Sequence, residues 1–531
     1  MALRLVAALL GLMLFVSCTA PPVDPGVGPG RNGTASTEPP GVGAGEPPAV
    51  EVAPTAYELV IAGGTIVDGT GARAYRGDVA IDGDRIVAVG DIGPYTADRV
   101  IDATGLAVAP GFINPHSHTH DDLLNPFIER DAKASLMQGI TTEFGGVDGR
   151  SPVDIGAFLA QLEEEGTGVN YGTFLGQGSV RKHVMGWAQG PAGEAQLNEM
   201  KGLVRQAMEN GAFGLSTGLE YQPGSFAGTA EIAELVRETA PYGGIYSTHV
   251  RSEGAAVVQA IQEALEIGRL AGVPVNLSHL KIVYYRNWGK EDEVVGLIEE
   301  ARAAGQRVFA DVYPYRAPDY AVNRPLSEWA SALPPEHLLI VDGVPEELQG
   351  LTVAEAASSL GVAEAEAAGA LLARYPSVRI VALVSSESAM YRFYKAEWSL
   401  VSTDGEAQPK LATAEEARSY SFHRRSYGTY PQLFAELVRK RGLLTLEQAV
   451  RKSTGQVADE LGLRTRGYLK PGQYADIVIF DPETIADRTT WLSPQEYPEG
   501  IAYVLVNGHV VVEQGEWRGG RYGRIIRRGE D

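Results

Sequence analysis

Asn114-Pro-His-Ser-His-Thr-His-Asp-Asp122 follows the apolar stretch Leu106 to Ile113, whose pattern predicts a β-strand. Side chains alternate along a strand, so His116 and His118 face the same way and can grip one metal ion. A His-x-His pair alone is equally a polar strand end. Two further histidines close apolar strands, His249 after Ile245-Tyr-Ser-Thr and His279 after Val275-Asn-Leu-Ser. His120 continues the alternation but lies further past the strand end, where it would support the ligands rather than join them. His183, His337, His423 and His509 lie outside these strand ends.

Carboxylates complete the set. The strand Gly139-Ile-Thr-Thr-Glu-Phe ends in Gly145-Gly-Val-Asp148-Gly149, which offers Asp148 as an anionic ligand or bridge, with Glu143, inside the strand, as the alternative. Asp404-Gly405 follows Lys395-Ala-Glu-Trp-Ser-Leu-Val-Ser-Thr. Taken alone it is a turn. In a pocket of imidazoles it becomes a general acid/base, taking a proton as hydroxide attacks an amide carbonyl and returning it to the departing nitrogen. Neutral imidazoles suit zinc, one ion or two, better than iron, nickel or cobalt, and a position left open for water makes such a site hydrolytic. Tyr221, between Ser216-Thr-Gly and Pro223-Gly224, either lines the pocket or packs beneath it.

Groups so far apart in the chain need a scaffold that gathers strand ends. From about 110 to 465 apolar strands alternate with amphipathic helices: strands at 169–175, 212–216, 245–249, 275–279 and 308–313, helices at 194–210, 229–240, 255–271 and 293–304. This predicts an α/β fold, a TIM-like (β/α)8 barrel, which carries its reacting groups at the C-terminal ends of its strands. Residues 57–109 and 466–531 read as short strands broken by turns such as Gly63-Gly64 and Asp82-Gly83, so a small β-sandwich is expected from both termini. Residues 316–378, rich in Ala, Glu and Pro, break the rhythm and read as an insertion over the barrel mouth, either a lid or a helical decoration.

The whole chain of 531 residues is 44% hydrophobic and 21% charged, enough apolar content for a sizeable core. Its formal charge of −22 argues against nucleic acid or anionic lipid as partners. Arg4 followed by the apolar run Leu5 to Val16 has the layout of a secretory signal and is too short to span a bilayer. It ends in Phe15-Val16-Ser17-Cys18, which resembles a bacterial lipobox, and Cys18 is the only cysteine. The expectation is a signal peptide over 1–18, a lipidated Cys18, a disordered tether over 19–56, and an exported body facing the periplasm or exterior, touching the membrane only through its lipid.

Val60-Ile-Ala-Gly-Gly-Thr-Ile-Val-Asp-Gly-Thr-Gly and Ala109-Pro-Gly-Phe-Ile-Asn-Pro-His-Ser-His resemble the amidohydrolase superfamily. More specific are Gly214-Leu-Ser-Thr-Gly-Leu-Glu-Tyr-Gln-Pro-Gly, Ser247-Thr-His-Val-Arg-Ser-Glu-Gly, Leu277-Ser-His-Leu-Lys, Asn287-Trp-Gly-Lys, Asp311-Val-Tyr-Pro-Tyr and Ser402-Thr-Asp-Gly. Together, over about 57–515, they resemble the D-aminoacylase branch, the N-acyl-D-amino-acid deacylases. The resemblance implies His116 and His118 on one metal position, His249 and His279 on another, and Asp404 as acid/base. It also implies Lys281, Arg425 and one of Tyr313 or Tyr315 on the α-carboxylate of a small N-acyl-D-amino acid. Asp148 stands where the family commonly has a metal-bridging cysteine, in a stretch resembling Thr-Thr-x-x-x-Gly-Asn-Cys-Gly, and aspartate is the harder ligand. No lysine closes Phe213-Gly-Leu-Ser-Thr, so a carbamylated-lysine bridge has no candidate. His423-Arg-Arg-Ser-Tyr-Gly428 is similar to the family's His-Pro-Arg-x-x-Gly, and Arg424, in place of proline, reads as a solvated surface residue. The rival expectations are a hydrolase of cyclic amides or D-peptides on the same scaffold, and a non-catalytic solute-binding lipoprotein.

Overall fold

A computed structural model describes residues 54–119, 123, 130–406 and 423–530. The signal, tether and lipidation expectations, including Cys18, and the supporting role of His120 lie outside them.

Eight parallel strands form the barrel: β1 (Phe112–Asn114), β2 (Ile140–Gly145), β3 (Asn170–Thr173, resumed at Leu175–Gly176), β4 (Gly214–Gly218), β5 (Ile245–His249), β6 (Val275–Leu277), β7 (Val308–Val312) and β8 (Ser399–Val401). Each pairs in parallel with its successor. The ring closes through a bridge between Ser117 and Gly405, with His118 N–H on Gly405 O at 2.7 Å and Asp404 N–H on His116 O at 3.1 Å. Closure therefore joins the two chain segments richest in candidate site residues. Inside, β-carbons alternate, so Ile113, Phe144, Phe174, Phe213, Ile245, Phe309 and Leu400 stack as an apolar plug beneath the polar strand ends. Outside, the helix Val257–Ala271 shows why these segments are helical: Val257, Ile261, Ala264, Leu265 and Gly268 form one buried stripe, and Gly272, at φ 73°, ends it in a left-handed conformation.

The second body is a nine-stranded sheet around the long strand Thr55–Ile66, which is antiparallel to Tyr75–Asp82 and parallel to Tyr95–Asp102 and Ala107–Pro110. Ala107–Pro110 pairs with the C-terminal strand Ile477–Phe480, so Ile61, Val79 and Ile101 share a core with Ile477, Ile479 and Leu505. Gly63-Gly64 is not the expected turn. It is a bulge within one continuous strand, with Gly63 at φ 70°, and a β-carbon on Gly64 would stand 2.5 Å from Val108 Cγ2.

The insertion is a small domain of its own rather than a break in the rhythm alone. Arg324–Pro325, Leu338–Asp342 and Arg379–Ala382 form an antiparallel sheet, and Val353–Leu360 and Glu364–Arg374 cover a core that includes Leu338, Ile340, Val353, Leu371 and Ile380. It thus runs past 378, because Arg379–Ala382 pairs inside it. It touches the barrel where Tyr284 N–H donates to Val384 O at 2.9 Å. Among the described residues no helix is long and apolar enough to cross a membrane.

Candidate active site

The C-terminal strand ends converge. One donor atom each from His116, Asp148, His279 and Asp404 lie within 4.8 Å of one another, and all four residues are buried. His116 Nε2 is 3.3 Å from Asp404 Oδ1 and 3.7 Å from Asp148 Oδ1. His118 Nε2 is 3.0 Å from Asp404 Oδ1 and 3.6 Å from Asp148 Oδ2. Across the cavity, His279 Nε2 is 3.1 Å from Asp148 Oδ2 and 3.0 Å from His249 Nδ1. Asp148 thus stands between the two histidine pairs. Glu143 does not join them: it stays in β2, buried, accepting a bond from Ser135 Oγ at 2.6 Å, and burial pushes its carboxyl up.

Backbone strain gathers at the same place. Asp148, His279 and Asp404 have φ of 52°, 36° and 50°, a region that β-carbon-bearing residues enter at a cost and that clusters at functional sites. His279 is held there by its N–H, which donates to Asp311 Oδ1 at 2.9 Å.

Zinc fits these residues. Both nitrogens of His116, Asp148 Oδ1 and His249 Nε2 are buried with no hydrogen-bond partner among the described residues. Orphaned polar atoms cost about 1–3 kcal/mol each, and a cation held by nitrogen and oxygen donors satisfies them. The electrostatics agree. Burial disfavours the charged carboxylates, yet Arg425 and His279 hold Asp404, and His279 and His116 hold Asp148, well below the usual carboxylate range. Burial likewise opposes charge on His249, but Glu253 and Asp148 push it up to about 10. The cavity is built to be balanced by positive charge.

Two acidic residues of the site were not singled out from the sequence. Asp311, fully buried in β7, accepts from Asn276 Nδ2 at 2.9 Å and Ser402 Oγ at 2.6 Å and lies 3.6 Å from His116 Nδ1. Glu253 lies 3.1 Å from His279 Nδ1 and 2.7 Å from Lys281 Nζ, and despite burial the lysine and His249 hold its carboxyl at about 2. A charged residue inside the apolar run Val308-Phe-Ala-Asp-Val was the available signal for Asp311. Glu253 had only its place in the Ser247–Gly254 stretch.

Lys281 Nζ also lies 2.8 Å from His279 Nδ1, so it stands at the edge of the cluster. Arg425 Nη1 donates to Asp404 Oδ2 at 2.5 Å, while its Nε is buried and without a hydrogen-bond partner among the described residues. The Tyr313 ring lies 5.5 Å from Lys281 Nζ and 5.4 Å from the Arg425 guanidinium, and its buried hydroxyl makes no hydrogen bond among the described residues. Tyr315 is already engaged, donating to Asp487 Oδ2 at 2.8 Å. Arg424 is not a solvated surface residue: it pairs with the same Asp487 oxygen at 2.6 Å and with Thr489 Oγ1 at 2.9 Å. His423 is kept neutral by burial and by Arg425; its Nε2–H donates to Ala317 O at 2.6 Å, and its Nδ1 accepts from Arg425 N–H at 3.0 Å. Tyr221 reaches the site, its hydroxyl 3.3 Å from His249 Nδ1.

The amidohydrolase family matches residues 414–512. The D-aminoacylase of Alcaligenes xylosoxydans xylosoxydans is 33% identical over 509 residues, which is 89% of this chain and 98% of that protein. The N-acyl-D-glutamate deacylase of the same organism is 35% identical over 501 residues, 89% of this chain and 96% of that one. The crystal structure of N-acyl-D-glutamate deacylase from Bordetella bronchiseptica, complexed with zinc and a phosphonate inhibitor that mimics the tetrahedral intermediate, superposes with a TM-score of 0.74 at 32% identity. It covers 89% of this chain and 99% of that one.

Proposed function

This chain belongs to the D-aminoacylase family of amidohydrolases, and from that membership we propose that it hydrolyses the amide bond of N-acyl-D-amino acids with zinc, releasing a carboxylate and a free D-amino acid. The observation that carries the reading is Asp404, within 3.3 Å of both His116 and His118 at the closed seam of the barrel. His116, His118, Asp148, His249 and His279 are the residues that hold metal, one zinc or two. When bound, zinc supplies Lewis acidity, which polarises the amide carbonyl and makes water nucleophilic near neutral pH.

The remaining work belongs to side chains. Asp404, kept ionised, takes a proton from the attacking water at one carboxylate oxygen and passes it to the leaving nitrogen. Lys281, Arg425 through its Nε, and the hydroxyl of Tyr313, the last two without a hydrogen-bond partner among the described residues, bind the α-carboxylate. A carboxylate arriving there competes with Asp404 for Arg425 and so raises the basicity of Asp404 once substrate is in place. Asp311 fixes the orientation of His116 and the backbone of His279. The test is turnover by purified zinc-loaded protein of a panel of N-acyl-D-amino acids with acidic, apolar and amide side chains, beside their L enantiomers. No hydrolysis of any D substrate would overturn the reading.

Leu5 to Val16 followed by Cys18 supports an exported enzyme anchored by lipid at that cysteine. Metabolic labelling with a palmitate analogue should mark the wild type and not Cys18→Ala; equal labelling of both rejects the anchor.

A further inference from the structure

Beside the metal-binding cluster lies a second cavity, of about 300 Å³, whose wall includes Asp148 and Tyr221. We propose that it receives the acyl group of the substrate and favours acyl groups that end in a carboxylate, dicarboxylic half-amides of the succinyl or glutaryl kind. The inference rests on the amide-hydrolase reading above and adds the substrate's other end.

Topology decides which end enters. Lys281 and Tyr313 follow β6 and β7, and with His279 they line a narrow cleft on that side. The cavity is walled by the loops after β2, β3 and β4, on the opposite side of an eight-stranded ring. Asp148, in the wall of one, and His279, in the wall of the other, stand between the two spaces, with Asp148 Oδ2 3.1 Å from His279 Nε2. A linear amide whose carbonyl sits at that junction, with its α-carboxylate on Lys281, projects its acyl chain toward Arg150 and Lys182.

Those two cations make the cavity unusual in a chain of charge −22. Both are exposed, and both contact rings: the Arg150 guanidinium lies 5.1 Å from the Tyr221 ring and Lys182 Nζ 5.2 Å from the Trp187 ring. Neither pairs with a carboxylate among the described residues. The Tyr221 ring in turn lies 4.6 Å from the His249 ring, so Arg150 is one aromatic ring away from the metal-binding cluster. The helix Gln177–Met185 begins at the same cavity, with Gly178 and Ser179 in the wall, and presents the positive end of its dipole. Two exposed cations with no carboxylate partner among the described residues, beside a helix N-terminus, suit a carboxylate better than an alkyl tail. Hydrolysis breaks the C–N bond; water gives its hydroxyl to the acyl carbon and a proton to the amine, leaving a dicarboxylic acid and a D-amino acid.

The experiment compares N-succinyl-, N-butyryl- and N-acetyl-D-leucine with N-acetyl-D-glutamate, in the wild type and in Arg150→Gln/Lys182→Gln. Succinyl and butyryl share a four-carbon chain and differ in the terminal carboxylate. We expect kcat/KM for succinyl to exceed butyryl by about tenfold or more, the yield of a charge-assisted hydrogen bond, with the ratio shrinking at high salt and collapsing in the double variant. Should the variant fail to fold, inhibition of the wild type serves: succinate should inhibit more strongly than butyrate by a similar factor. Turnover of N-acetyl-D-leucine without a succinyl preference, or a preference that survives the double substitution, overturns the inference alone. If the variant loses its preference for D-glutamate over D-leucine while keeping the succinyl-to-butyryl ratio, the cations read the side chain, and the inference is again overturned. No turnover in any arm overturns it together with the deacylase reading.

Discussion

Asp404 touches a histidine of the first pair and Arg425 at once, so its carboxylate is both part of the metal-binding cluster and the proton carrier. Asp404→Asn keeps the shape and removes the base. Its kcat should fall by about 10²- to 10⁴-fold, measured by steady-state kinetics with zinc content determined on the same sample; activity within about tenfold of wild type would reject the assignment. Asp148 poses a different trade. A thiolate there is a softer donor for zinc, but the backbone is left-handed, where aspartate is tolerated and other β-carbon-bearing side chains cost roughly 1–2 kcal/mol. Asp148→Cys should therefore lose zinc more slowly to a chelator, yet melt at a lower temperature than wild type when both are metal-free. Faster zinc loss would show that the carboxylate's reach matters more than donor softness. The histidines were legible in the sequence because each closes an apolar strand. Glu253 and Asp311 were not: one lies in a loop that only the fold brings beneath His279, and the other sits inside a strand where a side chain's direction depends on pairing.

Elements hold the site through their ends, and the start of β8 shows how. The helix Leu446–Ser453, begun by a capping box between Thr445 and Gln448, carries Lys452, whose Nζ donates to Ala396 O at 2.6 Å, Ser399 O at 3.0 Å and Ser399 Oγ at 2.9 Å. Burial pushes this ammonium down to about 7. The unfolded chain keeps the proton up to about 10.4, so between these values the unfolded state binds more protons and folding stability rises with pH. The contribution is smallest below about pH 7 and grows through the folded value. Denaturant titrations from pH 7 to 10 should show this slope in wild type and its loss in Lys452→Met; parallel profiles would mean that the three acceptors hold the charged form throughout. At this scale the sequence reads well where pattern is local. Ile245–His249 was expected with the bounds it has, and the helices 194–210 and 293–304 differ from Glu194–Glu209 and Glu291–Ala303 by one or two residues. It reads poorly where pairing is remote: Gly63-Gly64 looks like a turn until Thr55–Ile66 is seen running parallel to Tyr95–Asp102, and Arg379–Ala382 joins the insertion by pairing with both Arg324–Pro325 and Leu338–Asp342.

The molecule as a whole separates chemistry from closure. The metal-binding cluster occupies the C-terminal end of the barrel, while the last residues of the chain return from the sandwich to the other end. There Gly523 N–H donates to Thr167 O at 2.8 Å, Tyr171 N–H to Arg524 O at 2.9 Å, Ile526 N–H to Tyr171 O at 2.8 Å and Arg528 N–H to Gly211 O at 3.0 Å. Thr167 and Gly211 precede β3 and β4, so the tail is laid across the entrance of the strands, and Ile526 enters the apolar plug with Phe144, Phe174, Phe213 and Phe309. Truncating that side chain leaves a void against large rings that cannot collapse to fill it. Ile526→Ala should thus lower stability by about 2–5 kcal/mol, read as a shift of the urea midpoint with unchanged slope. The opposite end should be indifferent: at a temperature where the variant is folded, its zinc content and kcat/KM should match those of the wild type. Residues at the C-terminal face of a barrel serve function and those at the N-terminal face serve stability, so a drop in kcat/KM comparable to that of a site variant would show that the plug transmits strain to the strand ends and that the two faces are not independent.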